Sequence, residues 1–378
     1  MPQPDHPHDP AYWLARIAEL PHPKTSRLRI MNVCGGHERT ITHAGLRQIL
    51  PDYLQLIPGP GCPVCVCPET DIQAAVALSL RPDVILATFG DMVRVPGNAM
   101  KGKPRSLQDA RVVGGHVAPI AAPADVLALA RQYPDKQIVF FAAGFETTAA
   151  PLAALLTRAD LPGNLTILLS ARQTWPAIDH LLQDEDPGFD ALIAPGHVAT
   201  VMGARQWAFI AENYDLPTVV AGFTPALLLQ AIHAALAQVI ARESRLVNAY
   251  PQCVTDEGNA RARHLMDRVF DTIDAPWRGI GTFTSSGYAL RPALAAHDAR
   301  ERFPEAFSDD STLRMGMPAG CDCAAVVLGR ITPSACRLFG TGCHPDNPVG
   351  PCMVSDEGAC RIWWQSGAPT TNRQKLAV

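Results

Sequence analysis

Four stretches of this 378-residue chain repeat one pattern: a short, unbroken apolar run, a glycine-bearing turn, then helical spacing. They are RPDVILATFGDMVRVPG (81–97), KQIVFFAAGFETTAAPLAALL (136–156), FDALIAPGHVATVMG (189–203) and LPTVVAGFTPALLLQAI (216–232). Apolar runs without polar alternation suit strands covered on both faces, hence parallel sheets between helices. Strands alternating with helices imply βαβ units with right-handed crossovers. The fold class expected is α/β: two parallel-sheet domains with helices on both faces, plus a mixed, loop-rich and cysteine-rich domain. The expected divisions are an N-terminal tail and helix (1–25), a first α/β domain (26–120), a second (121–235) and the mixed remainder (236–378). In the first, a strand ends near Cys34 and a helix resumes near Ile41. The stretch 277–291 reads as a glycine-rich connection with short strands.

In such sheets the residues after each strand gather at the carboxyl edge, where ligands bind. That edge would carry Thr88, Asp91, Glu146, Thr147, Thr148 and His197. Each of these alone reads equally well as a helix cap or a turn residue.

A formal net charge of −4 gives no electrostatic case for nucleic acid or an anionic membrane as partner, and 6% aromatic content offers few stacking platforms. No apolar run reaches the roughly 18–20 residues of a membrane span. The polar, proline-rich start MPQPDHPHDP resembles neither a signal nor a transit peptide and reads as a frayed tail. A cytoplasmic location, with thiols kept reduced, is therefore expected.

That setting changes how the 11 cysteines are read, because clustered cysteines in a reducing compartment bind metal or do redox chemistry. Cys253 stands alone and reads as a small half-buried apolar residue. Cys321, Cys323, Cys336, Cys343, Cys352 and Cys360 are threaded among prolines in a region with little helical pattern. Four thiolates are the usual complement of a [4Fe–4S] cluster or a structural zinc. The region lacks paired zinc knuckles, and the wide spacing of 321, 336, 343 and 360 suits an iron–sulfur cluster better than zinc or disulfides. The early group differs in kind. Cys34 precedes two glycines and His37. Cys62 and Cys65 form a C-x-x-C pair, able to close a disulfide or to grip one metal. A helix beginning beyond Pro68 would favour thiolate there. Three sulfurs with His37 can bind zinc, and inert buried thiols are the plain alternative.

The blocks MNVCGGH (31–37), PGPGCPVC (58–65), GFETTA (144–149), PGH (195–197), EGNARA (257–262) and WRGIG (277–281) resemble those of the HypD family of hydrogenase maturation proteins. So do CRLFGTGCHPDNPVGPCMVS (336–355) and EGAC (357–360), and the blocks run in order over roughly residues 25–365. The resemblance implies α/β domains, a cytoplasmic location and a [4Fe–4S] cluster on C-terminal cysteines. It implies a scaffold, formed with the small chaperone HypC, on which the Fe(CN)₂CO group of [NiFe]-hydrogenases is built. Cyanide would arrive through HypE and HypF, and the finished unit would pass to the hydrogenase large subunit.

Carried over by motif, Cys34 becomes the thiolate ligand of the nascent iron, His37 an orienting or protonating group, and Cys62 and Cys65 a redox dithiol beside it that can also touch the iron. Cys321, Cys336, Cys343 and Cys360 become the cluster ligands, leaving Cys323 and Cys352 as a second dithiol. In the family the cluster is thought to feed electrons toward the dithiols. Thr148 and His197 are candidates to hydrogen-bond cyanide nitrogens, as outer-shell groups do at metal sites. Soft sulfur suits low-spin iron carrying carbon monoxide and cyanide. Two departures stand out: Cys67 where the family pattern has threonine, which opens the question of which pair forms a disulfide, and Thr224 where it has glutamate. The competing function is a stand-alone iron–sulfur disulfide reductase; a zinc-stabilised structural protein is a third.

Overall fold

A computed structural model describes residues 8–23, 27–98, 102–184, 186–307 and 316–367. Most of the expected frayed tail, residues 1–7, lies outside the described residues.

The chain runs through β1 (Leu28–Asn32), β2 (Leu54–Pro58), β3 (Val84–Phe89), β4 (Val117–Ile120), β5 (Gln137–Gly144) and β6 (Leu165–Ala171). It continues through β7 (Ala191–Pro195), β8 (Thr218–Ala221), β9 (Leu246–Asn248), β10 (Phe270–Trp277) and β11 (Gly281–Leu290). One sheet has the order β2-β1-β7-β8-β9 and another β4-β3-β5-β6; every pairing in both is parallel. The unbroken apolar runs did form strands buried on both faces, β5, β6 and β7 almost throughout. A helical segment follows each run in the chain, only a 3-10 turn after β3, and Pro10–Ala18 forms a helix near the N-terminus.

Contiguous division at 26–120 and 121–235 is not how the strands are shared. The first sheet takes β1 and β2, then resumes only at β7, while β3 to β6 build the second sheet in between. The short strands expected within 277–291 are one long strand, β11, which pairs with β10 as an antiparallel hairpin with one irregularity between Ile273 and Ala275. Cysteine-rich residues after 316 form short helical turns rather than regular layers.

In the first sheet β1 leads to β2 on one side, while its neighbour β7 leads to β8 on the other. The same happens at β3 and β5 in the second sheet. Such reversals open a crevice at the carboxyl ends of the two central strands. Cys34 follows β1 and His197 follows β7, so both stand at the first crevice.

Candidate metal and thiol site

The helix after β1 starts at Gly35, immediately beyond Cys34, and not near Ile41. Cys34 is its N-terminal cap residue in extended conformation; its thiol is in no disulfide and faces the backbone of Gly36 and His37. The glycines permit close packing. A Cβ on Gly35 would lie 2.3 Å from Glu357 Cβ, and one on Gly61 would lie 2.5 Å from the Cys34 backbone. The loop Gly59–Gly61 and the segment around Glu357 thereby close on Cys34 from two sides.

Cys62 caps the short helix Pro63–Val66, Cys65 lies within it, and the two are joined by a disulfide with 5.3 Å between their Cα atoms. Cys67 is not part of that bond; it is buried, with its sulfur 3.4 Å from Ser170 Oγ. Cys34, Cys62, Cys65, Cys352 and Glu357 line one small cavity of about 10 Å³, scarcely the room of a single water. Of the three sulfurs assigned to nascent iron, only Cys34 is free, because a disulfide sulfur is no thiolate ligand until it is reduced. Burial, with the Glu357 charge next, pushes the Cys34 thiol up to about 12. Glu357, a residue the sequence did not single out, is itself raised to about 7 by burial and by the charges of Asp91 and Asp356. Its only sequence signal was its place in the EGAC block.

His37 is fully buried, its Nε2 3.2 Å from the Ala221 carbonyl and its Nδ1 unpaired. Burial lowers its pKa to about 4, so the ring is neutral at neutral pH. His37 packs on Phe223, and His197 stacks on the same ring with 3.7 Å between centroids. Phe223 in turn faces Gly36, where an added Cβ would lie 3.1 Å from the ring and 3.6 Å from Cys34 Sγ. His197 therefore reaches the Cys34 site through Phe223. Thr148 does not: it packs against Gly144 at the other sheet. Other edge residues serve the fold. Glu146 accepts from the Thr174 amide and hydroxyl, both at 2.7 Å; Thr88 donates to Phe141; Asp91 accepts from Ser355.

The six late cysteines form one neighbourhood packed on the core around Cys62, Cys65 and Cys67. Cys323, Cys352 and Cys360 lie with their sulfurs within 4.8 Å of one another. Cys321 and Cys323 converge on Gly350, where a Cβ would lie 2.4 and 2.5 Å from their sulfurs. Thiol donors from Cys323 and Cys360 draw Cys352 well below the usual thiol range, whereas Cys360 is pushed well above it. Burial raises Cys336 and Cys343, and Cys343 Sγ accepts from the Val349 amide at 3.3 Å. A glycine cradle under converging soft sulfurs fits a thiolate-bound metal centre. The tight trio takes only Cys360 from the foursome named for the cluster and joins it to the expected second dithiol. Cys253, expected to be half-buried, is exposed.

The family model HypD, described as "Hydrogenase formation hypA family", matches residues 11–367. The hydrogenase maturation factor HypD of Escherichia coli strain K12 is 40% identical over 367 residues, covering 96% of this chain and 93% of that protein. The HypD of Azotobacter vinelandii is 39% identical over 373 residues (96% and 94%), and that of Rhodobacter capsulatus 38% over 343 residues (90% and 89%).

Proposed function

Because this chain belongs to the HypD family of hydrogenase formation proteins, we propose that it is the cytoplasmic scaffold on which the Fe(CN)₂CO unit of [NiFe]-hydrogenases is assembled. A HypC-type small chaperone and a HypE-type cyanide donor would act on it before the unit passes to the hydrogenase large subunit. The observation that carries this reading is the shared cavity: one free thiol, Cys34, beside the Cys62–Cys65 disulfide and within reach of Cys352.

Iron is the cargo. Its capture by Cys34 requires loss of the thiol proton, and Glu357, the raised carboxylate of the same cavity, is placed to take it. Opening the Cys62–Cys65 disulfide takes two electrons and two protons and yields two thiols beside the iron. Cys321, Cys336, Cys343 and Cys360 would hold the [4Fe–4S] cluster, which when bound supplies electrons one at a time. Cys323 and Cys352 would form the second dithiol, a role their close approach supports. His197, adjoining the site through Phe223, would hydrogen-bond cyanide nitrogens; Thr148, packed at the other sheet, takes no part in this.

The test is an infrared spectrum of the protein purified without oxygen together with its small partner. Bands of metal-bound carbon monoxide and cyanide, lost in Cys34→Ala while the cluster's visible absorption stays, support the scaffold. Loss of both together would show that Cys34 is a folding residue instead. The formed disulfide favours a second reading, a stand-alone disulfide reductase. Steady-state turnover of a generic disulfide, with no such infrared bands, would establish that one.

A further inference from the structure

A second cavity, of about 320 Å³, opens between the first turn of the helix Glu69–Ser79, the end of β6 and the β10–β11 hairpin. Its volume is that of a small-molecule site. Leu169, Ile273, Pro276 and Leu290 give it apolar walls. Into this space two side chains bring polar groups, and both are more than nine-tenths buried: Arg172 at 5% and Tyr288 at 7% exposure.

Arg172 is only partly satisfied. Its Nε donates to the Pro276 carbonyl and its Nη1 to that of Ala171, each at 3.1 Å. Its Nη2 makes no hydrogen bond among the described residues, and Asp71 Oδ2 stands off at 3.9 Å. Tyr288 packs its ring on Phe270, and its hydroxyl has no hydrogen-bond partner among the described residues. Polar groups on side chains this deeply buried usually find a partner in native sites. Two donors at one cavity, beside the buried and unpaired Asp71 Oδ2, call for an acceptor from outside the chain that can also donate.

The charge of that acceptor follows from the rest of the lining. Asp71 stands against Arg172 and is bound by Arg300 at 2.6 Å; Asp298 accepts from the Arg300 amide at 2.8 Å. Two guanidiniums already face two carboxylates, so the cavity is formally neutral. An anion would meet Asp71 and Asp298, and a cation would meet Arg172 and Arg300. We propose that this cavity binds a small uncharged carbonyl compound, its oxygen accepting from Arg172 and Tyr288 and its apolar body lying on Leu169, Ile273 and Leu290. The site is separate from the Cys34 cavity and independent of the scaffold reading. It does adjoin the thiols, since Ser170, between Leu169 and Arg172, touches Cys67 at 3.4 Å.

The experiment titrates the full-length protein, kept free of oxygen, with benzamide and separately with benzoate, following saturation-transfer NMR of each compound. Benzamide is expected to bind saturably in the millimolar range, more tightly than benzoate. Tyr288→Phe, which keeps the ring on Phe270 and loses only the unpaired hydroxyl, should weaken benzamide at least threefold. Arg172→Lys should weaken it too; should that variant fail to fold, Tyr288→Phe decides. No saturable benzamide signal, tighter binding of benzoate, or benzamide binding unchanged in Tyr288→Phe would each overturn the proposal.

Discussion

Trp363 donates its indole N–H to Glu38 at 2.7 Å, across 325 positions of the chain. Asn32 and Arg47 donate to the same carboxylate at 3.0 and 2.8 Å, so a buried acid in the helix after Cys34 ties the last helix to the first strand. Burial alone would raise this carboxyl. The Arg47 charge and the surrounding donors outweigh burial and hold it below its usual range. Trp363→Phe keeps most of the ring and removes one donor to a buried charge. An expected loss of about 1.5–3 kcal/mol is to be read from urea unfolding.

Arg278 and Glu69 form an ion pair at 2.6 Å with side chains 0% and 1% exposed. Arg278 also donates to the Pro96 carbonyl and, through its backbone, to Val66 between Cys65 and Cys67. Its neighbour Gly279 is pressed against Met317. Arg278→Met strands Glu69 in the interior and should cost about 3–5 kcal/mol in thermal or denaturant unfolding. The double variant Arg278→Met with Glu69→Met should lose less than the single one, because no charge is then left unpaired.

Acid should act early through His37. Its pKa is lowered from 6.5 to about 4 by burial, so the unfolded chain binds the proton more readily than the folded one. Its contribution is complete above pH 6.5 and is lost as pH falls toward 4. The full loss is about 3 kcal/mol at roughly 1.4 kcal/mol per unit. Denaturant midpoints measured across this window in wild type and His37→Gln should show a flatter dependence in the variant.

Gly350 leaves room where Cys321 and Cys323 converge. Gly350→Ala should reduce bound iron to less than half of wild type, measured colorimetrically after anaerobic reconstitution. Far-UV circular dichroism should stay unchanged, because the displaced atoms belong to side chains of a loop region. Iron content equal to wild type would show that these sulfurs do not converge on a metal.

The strands β5, β7 and β8 were legible because burial on both faces removes polar residues and leaves a continuous apolar signal. The assignment of strands to sheets was not legible, since parallel pairing of β1 with β7 joins segments about 160 residues apart and leaves no local trace. The helix start at Gly35 was misplaced because consecutive glycines read as breakers. There, close approach to Glu357 and Phe223 outweighs helix propensity. The stretch 277–291 reads as a glycine-rich connection with short strands; Gly279, Gly281 and Gly287 hide the length of β11 and its pairing with β10. Of the site, the cysteines announced themselves by clustering. Glu357 did not, since nothing in an isolated acidic residue signals burial beside a thiol.

The interleaving of the sheets sets an order of events during synthesis. When β1 and β2 leave the ribosome, the partner strand on the other flank of β1 is still unmade, and the ribosome must first produce the whole second sheet. Cys34 is therefore exposed on an unfinished edge until β7 arrives, and Glu357 closes on it later still. The enclosed Cys34 cavity therefore exists only in chains whose translation has passed Glu357, and under the scaffold proposal iron would be loaded only after that point.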